Sequence, residues 1–325
     1  MLSRQRLHCI DIIFARPDQT RVLPEFLCDF TNSEYGKKQV LDGQGGLAQQ
    51  HFNVGSYNKL RVPLPPLPEQ RKIAEILSTW DAAIEKTEAL LATAKAQKRA
   101  LMQSLLTGKR RFPEFEGLPW IEVRLGDLGA TFNGLTGKAK DDFGDGSPFI
   151  PYMNIFANSR IDLTHLDYVS LGHNERQNRV QYGDLFFTTS SETPNEIGMS
   201  SVLLDEMPDL FLNSFCFGFR LNDFETMRPR FARFFLRGQD FRRSLHKLAQ
   251  GATRYNLSKT NLMNTKLLLP PIVEQERIAD TLEVAQFEEA QVAGEITKLR
   301  TEKKALMQQL LTGKRRVAVE ENHGV

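Results

Sequence analysis

Residues 65–111 read PPLPEQRKIAEILSTWDAAIEKTEALLATAKAQKRALMQSLLTGKRR, and residues 270–316 read PPIVEQERIADTLEVAQFEEAQVAGEITKLRTEKKALMQQLLTGKRR. The offset is 270 − 65 = 205 residues, it holds without a gap, and 19 of the 47 positions are identical. Repeats of solenoids recur every 20–50 residues, so an offset of this size means duplicated domains. The offset extends upstream: Phe14 pairs with Phe219, Asp18 with Asp223, Pro24 with Pro229, Phe26 with Phe231, Phe30 with Phe235 and Gly46 with Gly251. The chain therefore reads as globular unit, long helix, globular unit, long helix.

Each repeat opens on a proline pair, Pro65-Pro66 or Pro270-Pro271, which stops the preceding strand or loop. In the first copy Ile73, Leu77, Trp80, Ile84, Thr87, Leu91, Ala94, Lys98, Leu101 and Leu105 step by alternating four and three. In the second, Ile278, Leu282, Ala285, Glu289, Val292, Ile296, Leu299, Lys303, Leu306 and Leu310 take the matching places. That is an a/d seam over about five heptads. Gly108 and Gly313 stop the helices, which should be about 60 Å long at 1.5 Å per residue. So long an apolar stripe needs a partner. Two partners are open: the other copy, in an intramolecular coiled coil, or each helix's own globular unit. The Lys-Arg-Arg after each glycine also has two readings, cations at a helix C-terminus or contact with DNA.

Composition gives little direction. Of 325 residues, 42 are Lys or Arg and 40 are Asp or Glu, a net charge of +2, so charge distribution must decide whether nucleic acid is a partner. Cys9, Cys28 and Cys216 form no CxxC and suit a reducing cytoplasm. The start carries no small-residue cleavage site, and no run of 18 apolar residues marks a membrane span.

The second globular unit mixes strand-like runs (186–191, 199–204, 215–221) with a helix over 229–250 closed by Gly251. Arg228, Arg230, Arg233, Arg237, Arg242, Arg243, Lys247, Arg254 and Lys259 crowd residues 228–259, where Asp240 is the only acid. This local excess is the footprint expected of phosphate contact. In the following loop Thr253, Arg254, Tyr255 and Asn256 carry groups that bond base edges, Arg suiting guanine and Asn adenine. Two further polar loops are candidates. One offers Asn133, Thr136, Lys138 and Lys140; the other offers Ser190, Ser191, Thr193 and Asn195. An ordinary solvated helix face and ordinary polar turns are the alternative for all of them.

Catalytic signatures are missing. No GxxxxGK[ST] occurs, the GK of GLTGKAK lacks the spacing, the six histidines show no HExxH, and there is no GxSxG.

LPLPPLPEQRKIAEIL, LLLPPIVEQERIADTL and ALMQSLLTGKRRFPEF resemble the conserved helices of specificity subunits of type I restriction–modification systems. WIEVRLGDLG (120–129), VQYGDLFFTTSSETPNEIGMSSVLL (180–204) and QGATRYNLSKTNLMNTKLLLPP (250–271) are similar to the body of a target recognition domain. GGLAQQHFNVGSYNKLRVPLPP (45–66) resembles the close of such a domain, and its Gln49 and Gln50 join the candidate DNA contacts. The resemblance implies an α+β fold, with duplicated mixed α/β recognition domains separated by two long helices in an antiparallel coiled coil. The implied division is a partial first recognition domain over 1–64, a central conserved helix over 65–112, a second recognition domain over 113–269, a C-terminal conserved helix over 270–316 and a tail over 317–325. The first domain is expected to lack the counterpart of residues 113–205.

The implied function is sequence-specific recognition of a bipartite site on double-stranded DNA, without catalysis in this chain. The implied partners are two modification (methyltransferase) subunits, restriction subunits that translocate and cleave, and a second specificity chain completing the first domain. AdoMet, ATP and Mg belong to those partners. The rivals are a coiled-coil scaffold that does not bind DNA, which basic charge in 228–259 disfavours, and a stand-alone methyltransferase or nuclease, which the missing motifs disfavour.

Overall fold

The computed structural model describes residues 13–44, 52–251 and 255–318. It divides within both long helices into two compact units: unit 1 is Met1–Thr93 with Glu289–Val325, and unit 2 is Ala94–Glu288. The chain runs through α1 (Pro24–Asn32), α2 (Glu34–Asp42), α3 (Val54–Tyr57) and the long α4 (Leu67–Leu105). It continues through β1 (Ile121–Arg124), β2 (Gly129–Asn133), β3 (Phe143–Ile150), α5 (Tyr152–Ala157), β4 (Asp167–Val169), β5 (Leu185–Thr188), β6 (Ser190–Ser191), β7 (Ser200–Val202), β8 (Phe211–Leu212) and β9 (Cys216–Leu221). Then come α6 (Pro229–Phe235), α7 (Gln239–Leu248), β10 (Ala249–Gln250), β11 (Tyr255–Leu257), α8 (Lys259–Met263), β12 (Lys266–Leu269) and the long α9 (Ile272–Leu310). The mixture of helix and sheet, and the two long helices, are as the sequence and its resemblance led us to expect. No described helix is long and apolar enough to cross a membrane.

Both partners foreseen for the long helices are used. In unit 1 the start of α4 packs Ile73 and Leu77 against Phe26 and Phe30 of α1, and the end of α9 adds Leu310 and Leu311. Ion pairs Glu88–Arg300, Asp81–Lys303 and Glu69–Arg316 run in opposite senses along the two helices, which are therefore antiparallel here. Unit 2 repeats the motif with the copies exchanged. Ile278 and Leu282 of α9 pack with Phe231 and Phe235 of α6 and with Leu105 and Leu106 from the end of α4. A helix start thus lies between its own globular elements and the end of the other long helix.

The repeated Glu-Gln dipeptide is the joint of each copy. The Gln70 amide bonds the Arg21 and Pro65 carbonyls and accepts from the Leu23 N–H. Gln275 does the same at Thr226, Pro270 and Arg228, each 205 residues further on. Both glutamines are fully buried, and each ties the preceding turn to the helix start through its own amide. The neighbouring Glu69 and Glu274 take the last arginine of the opposite repeat, Arg316 and Arg111. The second Arg of each GKRR is therefore an internal partner of a buried carboxylate. Gly108 and Gly313, at φ 68° and 72°, are left-handed C-caps that swing these arginines round.

Unit 2 is built on a four-stranded antiparallel sheet of order β2-β9-β5-β7. Its two central strands, β9 and β5, read as near-continuous apolar runs because both faces are covered; β5 is buried at all four positions. One face joins Phe187, Phe217 and Phe219 to α6 and both long helices, and the other joins Phe186 to Ile150, Ile155 and Leu212. Smaller sheets flank it: β4-β3-β8, β10-β11-β6 and the two-stranded β1-β12.

One element differs from expectation. The helix foreseen over 229–250 is two helices, and residues 249–250 form a strand. The first closes with short turns, Arg237 N–H to Phe234 O and Gly238 N–H to Phe235 O. The break falls at Gly238, and Arg237 beside it bonds the carbonyls of other segments.

In unit 1 burial pushes the Asp29 carboxyl up to about 6, against the pull of Lys303 and helped by Asp81 and Glu25. The folded value lies above the usual 3.8, so the carboxylate is a cost fully present above pH 6 and gone below about 4. Asp29→Asn should raise stability at pH 7.5 by of order 1 kcal/mol, allowing for the partial exposure of the group. The gain should vanish at pH 4, as followed by thermal unfolding at both pH values; an equal gain at both would assign it to something other than titration.

Candidate nucleic-acid interface

The run of basic residues over 228–259 is less free than its sequence suggests. Arg228 lies 3.0 Å from Glu276. Arg230 binds Asp280 at 2.8 Å and also Glu283, which raises its pKa. Arg233, 5% exposed, bonds Gln286 at 2.9 Å and Glu283 at 3.3 Å and covers the Phe234 ring. All these acceptors stand on α9, some fifty residues away in sequence. Arg237 donates to the carbonyls of Ser200 (2.6 Å), Ile155 (2.7 Å), Phe156 (3.0 Å) and Asn158 (2.7 Å). Burial, and then Arg242, push its pKa down to about 10. Arg242 donates to Gly198 O and Asn195 O, both at 2.8 Å, and burial lowers its pKa as well. The geometry gives Arg233, Arg237 and Arg242 internal roles, holding α6 and α7 to the sheet and to α9.

What remains accessible is the outer side of α7. Arg243 is 63% exposed and pairs with Asp240 one turn back. With Lys247 it lines a groove of about 680 Å³ that also contains Asn261, Asn264 and Lys266. The last three were not singled out from sequence. Their only signal was the spacing of amides and cations in SKTNLMNTK (258–266).

The other candidates converge more closely than sequence could show. β6 pairs with β11 so that Ser190 faces Asn256 and Ser191 faces Tyr255, and β10 pairs Gln250 with Asn256 on the other side. Two loops 65 residues apart (255 − 190) thus form one small sheet, with exposed Asn256 in its central strand. Ser258 caps α8 by accepting from the Asn261 N–H. The next residue, Lys259, reaches Asn133 Oδ1 at the end of β2 and lies 5.2 Å from the Phe217 ring centre. Asn133, Ser190, Tyr255, Asn256 and Lys259 are therefore gathered on neighbouring elements of unit 2.

The remaining candidates sit elsewhere. Thr136 is held by Gln177 through its backbone. Lys138, with a side chain 7% exposed, donates to Glu175 and to Ser170 O. Gln177 and Lys138 hold the Glu175 carboxyl down at about 2. Lys140 is exposed, and Thr193 bonds Glu196 within its own turn. Asn195 contributes its carbonyl to Arg242. Gln49, Gln50, Thr253 and Arg254 lie outside the described residues.

Sequence reading also passed over the aromatic flank of the small sheet. Phe215 is 64% exposed on a turn fixed by buried Asn213, which accepts from the Phe215 N–H at 2.8 Å and donates to Ile150 O at 3.0 Å. Tyr152 reaches Ser190 O at 3.4 Å. Such a combination of amides, hydroxyls, a cation and an exposed ring can bond base edges and stack on bases. Among the described residues no group of three or more His, Cys, Asp and Glu is placed to hold a metal ion.

Comparison with known proteins gives concordant results. Residues 7–95 and 118–297 match the family model described as the type I restriction modification DNA specificity domain. The chain is 22% identical over 285 residues to the type I restriction enzyme EcoKI specificity subunit of Escherichia coli K12, covering 82% of this chain and 59% of that protein. It is 24% identical over 339 residues to the putative type I restriction enzyme MjaX specificity subunit of Methanocaldococcus jannaschii, covering 96% and 72%. The chain thus spans about three-fifths of the first of these relatives. Among solved structures it is similar to the type I restriction–modification S subunit of M. genitalium, with a TM-score of 0.57, 15% identity and coverage of 90% and 74%. A structure described as showing complex assembly and conformational transition of the type I system gives 0.58, 20%, 91% and 73%.

Proposed function

Because the chain belongs to the type I restriction–modification DNA specificity family, we propose that it is a DNA-recognition and scaffolding subunit that does no chemistry itself. Residues 113–269 act as a target recognition domain for one half of a bipartite duplex site, and residues 65–112 and 270–316 as conserved helices. The helices dock two modification subunits, which carry AdoMet, and the assembly admits restriction subunits that use ATP and Mg.

The observation that carries this reading is the joining of β6 to β11 beside Lys259 and Asn133. It assembles base-bonding side chains from three separate loops without any active-site constellation of their own. Asn256 is the base-reading candidate of this face. Lys259, Arg243 and Lys247 supply charge for phosphates, a term that does not depend on sequence.

The purified chain, bound to its modification subunits, should bind a methylation site mapped by comparing cells with and without the gene. Asn256→Ala should cost about 1–3 kcal/mol on the cognate site and nothing on unrelated DNA. Lys259→Ala should weaken all sequences alike and lower the salt slope by about one. Titrations against salt distinguish the two. Loss of preference in Lys259→Ala, or uniform weakening in Asn256→Ala, would exchange their assignments; wild-type protein that binds no duplex would overturn the reading.

A further inference from the structure

Unit 2 encloses a second cavity, of about 650 Å³, that shares no residue with the small sheet. Its walls include residues 157–163 and Asp205, with Arg233 and Phe234 of α6, Arg237 just beyond it, and Lys98 and Gln286 of the long helices. Three arginines, Arg160, Arg233 and Arg237, share these walls with two acids, Asp162 and Asp205, and Arg233 also pairs at 3.3 Å with Glu283, which is not part of the lining. The Asp162 carboxylate is engaged by Thr164 and His165. Asp205 takes Nε and Nη2 of Arg160 at 3.2 and 2.6 Å.

The positive side is left with unused capacity. No carboxylate is among the partners of Arg237; four neutral carbonyls occupy its Nε and Nη2. Its Nη1 bonds no described residue and is not sealed from solvent. Arg160, whose side chain is 47% exposed, uses its Nε and Nη2 on Asp205 and leaves its Nη1 without a bond to a described residue. Deeper in the wall, the Nε of buried Arg233 has no acceptor at all. Burial weakens its hold on its proton against the pull of Glu283, and Arg160 and Arg230 weaken it further. The Arg237 guanidinium, largely withdrawn from water with no carboxylate among its described partners, is the costly one, and a bound oxyanion relieves that cost. Planar forks of N–H donors match the paired oxygens of phosphates as they do those of carboxylates.

We propose that this cavity is a binding site for a phosphate-class oxyanion, with Arg160 and Arg237 donating to it and Arg233 adding field. The cavity is several times the size of one phosphate, so it accommodates a phosphate that is part of a larger molecule. That phosphate comes from a free phosphorylated small molecule or from a DNA backbone. The first source does not require the DNA-binding reading.

Pyrophosphate titrated calorimetrically into the full chain, against chloride of equal ionic strength, tests the first source. Binding should weaken about tenfold in Arg160→Gln, which removes one charged donor. It should tighten severalfold in Asp205→Asn, which frees the Arg160 fork. Both positions are partly exposed and spare the Arg237 carbonyl cluster, so both variants should fold. If pyrophosphate does not bind but Arg160→Gln lowers the salt slope of duplex binding by about one, the site takes a DNA phosphate. Pyrophosphate and duplex binding both unchanged in the two variants would overturn the proposal, whatever the wild type does with DNA.

Discussion

Glu274→Ala should destabilise the chain by about 3–5 kcal/mol, the usual cost of breaking a buried ion pair from one side. Glu274 is 1% exposed and takes two bonds from Arg111, at 2.9 and 2.6 Å, and one from the Trp120 indole at 3.1 Å. Its loss strips the largely buried Arg111 of the carboxylate it bonds among the described residues and leaves the indole N–H without that acceptor. The repeat supplies an internal control. Glu69 is equally withdrawn, but its partner Arg316 is 69% exposed and can return to water. Glu69→Ala should therefore cost less, about 1–2 kcal/mol, since hydration replaces most of what is lost. Urea denaturation of both variants gives the comparison. Equal costs would mean that burial of the arginine does not set the energetics of the joint.

Arg237→Ala should cost about 3 kcal/mol or more, although a cluster of arginines beside a recognition loop suggests a ligand role. The side chain satisfies carbonyls from β7 and from the end of α5, and at the break between α6 and α7 it fastens both helices to the sheet. Nothing nearby can replace four charge-assisted bonds. Arg243→Ala, by contrast, removes an exposed cation paired only with Asp240 and should change stability by no more than about 0.5 kcal/mol. Thermal unfolding separates the two directly. If Arg237→Ala keeps the wild-type melting temperature, the carbonyl cluster contributes no net stability.

The arginines also show where sequence stops being informative. Charge counted over 228–259 gave an apparent excess of about eight, but Glu276, Asp280 and Glu283 oppose Arg228, Arg230 and Arg233 across the fold. Pairing at a distance of fifty residues leaves no mark in a local window. The same limit applied to Lys138, whose loop looked free until Glu175 and Ser170 were seen to hold it. GKRR was open between DNA contact and a helix end for the same reason. Its partner, Glu69 or Glu274, lies in the other copy of the repeat.

By itself the sequence determined the duplication, the two long helices with their stop glycines, and the core strands of the second unit. These are periodic or repeated features, and periodicity is a property of neighbouring residues that survives without tertiary context. It also carried the family, because the motifs at the ends of the helices are contiguous. Tertiary structure alone decided which cations are spent internally, where the basic helix breaks, and that Ser190, Asn256, Lys259 and Asn133 come together. Each of those depends on strand register or on a side chain crossing between elements. Such contacts form only when burial of Phe187, Phe217 and Phe231 has already brought distant segments into one core.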